Sequence, residues 1–233
     1  MANQTVQSVT GVRTEEGTRS ATQRAYQAIR QLIINGEISP GERLKVESLK
    51  VVLNTGASPI REALSLLTSD QLVERIDQRG FRAAQASKKH FLEILMLRCQ
   101  LEDLAIRGSI QLGDTAWEEN LVLSHHRLRQ ADRSLASEWE VHHRAFHGAL
   151  LQGCGSPILL RFCDQLYDLN IRYRFLAGKS GQYSKRDVVQ EHQGILEAAL
   201  ARDEAGASDQ LMSHYKVTGD FLAEQFNEFT QSE

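Results

Sequence analysis

The stretch S58-P-I-R-E-A-L-S-L-L67 decides how the first third of the chain folds. Proline is well tolerated in the first turn of a helix, where its missing N–H has no intrahelical partner to lose. Ser58, immediately before it, is read as the N-cap. Ile60, Ala63, Leu64 and Leu67 then recur at helical spacing and make one apolar face, with Arg61 and Ser65 directed away from it. A short helix with an abrupt start and an arginine in its first turn has the shape for insertion into a groove.

The flanking sequence supports that reading. Tyr26, Ile29, Leu32 and Ile33 give an amphipathic helix over about 20–35, stopped by Gly36. G36-E-I-S-P-G-E-R-L44 is a turn around Pro40, and K45-V-E-S-L-K-V-V-L53 is a second, shorter helix. N54-T-G-A57 turns into the Ser58 helix. After Asp70, L72-V-E-R-I-D-Q-R-G-F-R-A-A84 reads as a small β-hairpin with Gly80 in its tip. A lone arginine on a helix is most often a solvated, paired charge. Three short helices followed by a hairpin, however, form a winged helix-turn-helix, whose last helix enters the major groove. In that setting Arg61 can give two hydrogen bonds to guanine O6 and N7. Arg79 and Gly80 at the hairpin tip approach the minor groove or the phosphates.

Bulk properties fit this arrangement. The 233 residues hold 27 basic and 30 acidic side chains, so the whole chain is no polycation. Residues 20–86 nevertheless carry nine Lys/Arg against seven Asp/Glu, whereas residues 87–233 carry sixteen against twenty-one. The first of these regions is the better partner for a polyanion. Cys99, Cys154 and Cys163 lack metal-type spacing and read as reduced thiols of a cytoplasmic protein. No stretch has the length of a membrane span, and the N-terminus has no apolar signal core. Residues 1–19 are polar and read as a flexible tail.

Residues 87–233 read as all helical, in segments of about 88–111, 114–132, 136–152, 156–179, 184–202 and 206–230. Gly113, Gly153, Gly155, Gly181 and Gly206 sit at the breaks, and Ser184 with Asp187 is read as a capping box. The most chemical segment is V141-H-H-R-A-F-H-G-A-L-L151. His143 and His147 are four apart and share a helix face, which is metal-ligand spacing. His192 and His214 lie on two later helices and are able to join them inside a bundle. Among eight histidines such a pair also arises by chance. His125, His126 and His142 carry no partner signal. Arg98 is placed in a segment that Leu95, Leu97 and Leu101 mark as buried, and L169-N-I-R-Y-R-F175 supplies Asn170, Arg172 and Arg174.

The pattern I-x-N-G-x-I-x-P-G-x-x-L over 33–44, then S-P-I-R-E-A-L and R-G-F, resembles the DNA-binding domain of the GntR family of bacterial transcription regulators. The resemblance implies that Ser58, Pro59 and Arg61 face DNA and that Arg79 and Gly80 form the wing. Many members carry arginine where this chain has Ala57, which implies a different operator. F-H-x-x-L at 146–150, E-H-x-x-I-x-x-A-x-L from Glu191, and His214 beyond are similar to the FCD effector domain of the FadR subfamily. That resemblance implies a metal held by His143, His147, His192 and His214, with histidine at 143 where aspartate is usual. An all-imidazole set favours Zn²⁺ or Ni²⁺ over Mn²⁺. Arg98, Asn170 and Arg174 are implied to face a small carboxylate ligand. G153-C-G-S-P-I-L-L-R-F-C-D-Q-L-Y-D-L-N-I-R-Y-R174 is similar, more narrowly, to regulators of glutarate and related dicarboxylate catabolism.

The expected architecture is therefore mainly α. A winged helix-turn-helix with a β-hairpin wing spans 20–86, and an FCD-like helical ligand-binding and dimerisation bundle spans 87–233. The expected function is a homodimeric repressor that binds a double-stranded DNA operator and is released by a carboxylate. Two other readings compete with it. A metal-dependent hydrolase or lyase would use the histidines with Glu140 or Glu191 as base, but Arg144 stands where H-E-x-x-H requires glutamate. A structural zinc bundle would leave the winged module unexplained.

Overall fold

A computed structural model describes residues 20–133, 136–177 and 187–229. Helix α1 (Ala21–Ile34) starts with a full capping box between Ser20 and Gln23, and buries Ala25, Ile29, Ile33 and Ile34. Strand β1 (Arg43–Leu44) and helix α2 (Val46–Leu53) follow. Asn54, in the left-handed region at φ 43°, ends α2. Helix α3 (Ala57–Ser69) buries Ile60, Ala63, Leu64 and Leu67, the apolar face expected from their spacing.

The start of α3 differs from the expectation. Gly56, extended at φ −76°, is the N-cap and no side chain caps the helix. Ser58 is inside the first turn, exposed, with its hydroxyl 3.5 Å from Glu62 Oε1. Pro59 is consequently the third helical residue, a position whose N–H still lacks an intrahelical acceptor. Strands β2 (Val73–Ile76) and β3 (Gly80–Ala83) form the expected hairpin. The sheet has a third strand: β1 pairs antiparallel with β3, Leu44 opposite Phe81, giving the order β1-β3-β2. Two residues inside a turn carry no periodicity, so β1 was illegible in the sequence.

Among the described residues six helices make the bundle: α4 (Lys88–Leu112), α5 (Thr115–Gln130), α6 (Ala136–Leu151), α7 (Pro157–Ala177), α8 (Val188–Leu200) and α9 (Glu204–Phe229). Ser87 and Asp114 cap α4 and α5, and Ser156 Oγ accepts from Leu159 N at the start of α7. Asp187 is itself the N-cap of α8, not the third residue of a capping box; Ser184 and Gly181 lie outside the described residues. Gly206 does not break the chain. It sits in the first turn of α9, where its N–H donates to Asp203 Oδ1 at 2.9 Å. The apolar core of α1, α3 and the sheet continues without interruption into Phe91 and Ile94 of α4, Tyr167, Leu169, Ile171 and Tyr173 of α7, and Leu222 of α9. A second core fills the far part of the bundle around Ile106, Leu121, Phe146 and Leu211. Among the described residues no helix is long and apolar enough to cross a membrane.

Because Ser58 caps nothing, Ser58→Ala should change unfolding free energy by less than about 0.5 kcal/mol in urea titrations, as for an ordinary surface substitution. A loss of about 1 kcal/mol or more would restore it as an N-cap.

Candidate functional site

Helix α6 presents Glu140, His143 and His147 to the bundle interior, because positions three and four apart share a face. Trp139 stacks on His143 with ring centroids 4.5 Å apart. Helix α8 adds His192 and α9 adds His214; all four histidines are buried, and one ligating nitrogen from each lies within 4.8 Å of the others.

The hydrogen bonds around the cluster fix how the rings are protonated. Tyr215 donates its hydroxyl proton to Glu102, so its oxygen accepts from His147 Nδ1 at 2.9 Å. Tyr167 donates to Glu140 and its oxygen is 2.9 Å from His143 Nδ1. Arg174 Nη1 approaches that same nitrogen only to 3.4 Å. Burial, reinforced by Glu140 at Tyr167 and by Glu102 at Tyr215, holds both phenols well above their usual pKa, so each keeps its proton. His214 Nδ1 is 2.8 Å from Glu191 Oε2. In all three rings the outer nitrogen therefore carries the hydrogen, and the inner Nε2 is left with its lone pair. Burial first, then the neighbouring histidines and Arg174, pushes the pKa of His143 well down. Burial followed by His214 and His192 does the same to His147.

Two such lone pairs, on His143 Nε2 and His147 Nε2, face each other at 3.1 Å. Neutral imidazoles both turned this way repel, and a cation between them converts the repulsion into coordination. Carboxylate- and hydroxyl-supported imidazoles are also the usual outer shell of a metal site. The donor set thus fits a divalent cation.

The three residues expected to face a ligand border this cluster. Arg98 is 6% exposed. Leu97 beside it is exposed and Leu95 and Leu101 are only half-buried, so packing by those leucines is not what buries it. It lies over the rings of Tyr167 and Tyr215, at 4.7 and 4.1 Å. Its Nε donates to Glu102 at 2.7 Å and its Nη1 to Asn170 Oδ1 at 2.9 Å. Nη2 is buried with no partner among the described residues. Arg174 lies 3.4 Å from Glu140 Oε2. The gap enclosed by Arg98, Asn170, Arg174, His143 and His214 measures only about 20 Å³. A cavity of about 730 Å³ opens on the other side, against His147, Arg144, Tyr167 and Arg127. His142 is half-buried at that cavity, His126 is exposed, and His125 packs on Phe146 in the core. Sequence reasoning missed Tyr167, Tyr215 and Glu102. The only trace of them was spacing: Glu102 is four residues after Arg98, and Tyr215 follows His214.

On the winged module, Arg61 is exposed on α3, and Arg79 and Gly80 are exposed at the hairpin tip. Pro59 is half-buried. Gly80 has φ +93° with open space around it, so backbone conformation rather than room is what calls for glycine. Arg43 of β1 donates to the Arg79 carbonyl at 3.3 Å and braces the tip.

A winged helix-turn-helix joined to a helical bundle with a buried polyhistidine cluster defines a DNA-binding transcription regulator. The chain belongs to the gntR family of bacterial regulatory proteins: residues 21–82 match that family and residues 93–217 match the FCD domain. It is 34% identical over 197 residues to the HTH-type transcriptional repressor GlaR of Escherichia coli K12, covering 81% of this chain and 90% of that one. It is 35% identical over 203 residues to the transcriptional regulator BphR of Paraburkholderia xenovorans LB400, covering 84% and 82%. In fold it is similar to E. coli McbR, at a TM-score of 0.79 and 22% identity over 90% of this chain and 100% of the other. The family and these relatives are regulators, not enzymes, which sets aside the hydrolase or lyase reading.

Arg98 and Glu102 form a buried pair, so Glu102→Ala should cost about 3–5 kcal/mol in urea unfolding, by leaving a guanidinium desolvated without its carboxylate. A cost under about 1 kcal/mol would contradict the pairing as described.

Proposed function

We propose that the protein is a repressor, released from its operator by a small carboxylate bound beside a metal ion in the histidine cluster. The observation that carries this reading is the pair of facing lone pairs on His143 and His147, with the unpartnered Arg98 Nη2 in the same neighbourhood. His143, His147, His192 and His214 would hold the ion, which when bound supplies positive charge for an anionic effector. Arg98 adds a fixed guanidinium; burial lowers its pKa, but Glu102 outweighs that and keeps it charged. Asn170 and Arg174 orient the carboxylate from α7. The 20 Å³ gap admits little more than a water. A carboxylate can enter only if the surrounding side chains move, and that movement is the differential contact a ligand-responsive switch requires.

DNA recognition is assigned to the exposed first turn of α3, with Arg61 reading a base edge and Ser58 and Pro59 against the backbone. Arg79 and Gly80 take the adjoining groove or phosphates. The operator is two-fold symmetric and the protein a homodimer, one winged module per half-site. The exposed apolar stripe of Leu97 and Leu104 on α4, beside Ile158 and Phe162 on α7, supports pairing with a second copy. The repressor sense follows GlaR, which is named as a repressor.

Fluorescence anisotropy on the DNA upstream of the protein's own gene tests the reading. The wild type should bind, and a member of a panel of mono- and dicarboxylates with Zn²⁺ should release it. Arg61→Ala should weaken binding by about 1–3 kcal/mol and relax preference at one base pair per half-site. A panel without effect on the wild type, with or without Zn²⁺, would sink the carboxylate reading. Unchanged affinity and preference in Arg61→Ala would remove it as a base reader.

His143→Asp exchanges a nitrogen for an oxygen donor. Loaded from a mixture of Mn²⁺, Zn²⁺ and Ni²⁺, this variant should retain relatively more Mn²⁺ than the wild type. Identical metal content in the two proteins would place His143 outside the ligand set.

A further inference from the structure

Helix α7 meets the histidine site and the winged module with adjacent residues. Tyr167, Asn170 and Arg174 turn toward the site. Asp168 turns toward α1, where its Oδ2 accepts from Arg30 Nε at 2.6 Å and its Oδ1 accepts from Arg30 Nη2. Four residues on, Arg172 is 2% exposed and donates to the Ala84 carbonyl, just past β3, at 2.6 Å.

Asp168 Oδ1 also accepts from Arg144 Nη1, and the other arm of Arg144 reaches Asp164. Arg144 directly follows His143 on α6. Its guanidinium lies 4.9 Å from the centre of the Tyr167 ring, whose hydroxyl contacts His143. A continuous set of contacts thus runs from His143 through Tyr167 and Arg144 to Asp168, and on to Arg30 in α1. Helix α1 shares one core with the recognition helix: Ile29 and Ile33 pack with Ile60 and Leu64, and Thr22 donates to Glu62 at 2.7 Å. A shift of α1 is therefore passed to α3.

The charges make Asp168 a divided acceptor. It is one carboxylate, 11% exposed at its side chain, between two guanidinium groups from different modules. Arg144 is the more accessible partner. Its side chain is 30% exposed, and it lines the 730 Å³ cavity, whereas Arg30 is only 14% exposed.

We propose that Asp168 is the positioning residue that couples the effector cavity to the DNA-binding module, with Arg144 as its releasable partner and Arg30 as its output. This rests on the carboxylate reading above, with the approach made through the 730 Å³ cavity, which His147 and Arg144 line, and not through the 20 Å³ gap between Arg98 and Arg174. A carboxylate entering the cavity competes with Asp168 and Asp164 for Arg144. Asp168 is then left to Arg30 alone, which redraws the position of α1 against α7. Loss of Arg144 has the same consequence without any ligand.

A mutant cycle read by operator affinity tests this, on the full-length protein and with no metal or effector added. Arg144→Gln should mimic the effector and weaken operator binding by about three- to thirty-fold, the range of energetic coupling between linked sites. In an Asp168→Asn background the same substitution should change affinity by less than about twofold, because the shared acceptor is gone. Arg30→Gln offers a second background with the same expectation, should Asp168→Asn fail to fold by circular dichroism. Equal weakening by Arg144→Gln in all backgrounds, or no effect on the wild type, overturns the proposal. Release of the wild type by the carboxylate panel is scored separately: if release occurs but the cycle is additive, the carboxylate reading stands and the coupling route falls. If the cycle is non-additive and no carboxylate acts, the route stands and the carboxylate reading falls.

Discussion

Two imidazole nitrogens 3.1 Å apart, each with its hydrogen on the far side of the ring, set the terms for the rest of the bundle. The hydrogens are held outward by Tyr215 and Tyr167, which are held in turn by Glu102 and Glu140. Glu102 carries a second duty as the partner of buried Arg98. The polar interior of the bundle is therefore one network and not a set of separate pairs. Such networks stand or fall together, because each member's desolvation is compensated only by its neighbours. Arg98 lies beside the cluster with its charge compensated by Glu102.

The second constraint is mechanical. The winged module does not hang from a linker. Its core runs on into α4, α7 and α9, and the seam beside it is polar, with Arg30 on Asp168 and Arg172 on the Ala84 carbonyl. Apolar contact holds the modules together without specifying angle, since it is non-directional. The directional, charge-assisted bonds set the angle. Arg172 is costly in this role: burial lowers its pKa, and its Nε has no partner among the described residues. A regulator gains from such an arrangement because a few polar bonds can be exchanged without unpacking a core.

Much of this was legible in the sequence. The apolar faces of α1 and α3 follow from 3.6-residue spacing, and the hairpin from its alternation and glycine. The four histidines were visible as an i,i+4 pair and two later positions, although only the tertiary fold brings α6, α8 and α9 to one point. Local signals misled at helix ends. Ser58 looked like a cap because serine before an apolar run usually is one, yet Gly56 occupies that place, and Asp187, read as a member of a capping box, is itself the N-cap of α8. Gly206 looked like a break, but Asp203 caps the helix ahead of it. Strand β1 and the supporting residues Tyr167, Tyr215 and Asp168 escaped notice for a different reason. Their roles exist only through partners distant in the chain: Asp168 meets Arg30 across 138 positions.

The central claim is that the facing lone pairs on α6 exist to hold a cation. X-ray absorption at the zinc edge, on protein stripped of metal and reloaded with one equivalent of Zn²⁺, tests it most directly. The account predicts a first shell dominated by imidazole nitrogens at about 2.0–2.1 Å, with the outer-shell scattering of several rings. A shell of water or carboxylate oxygens without imidazole scattering, or zinc that is lost on desalting, would contradict it.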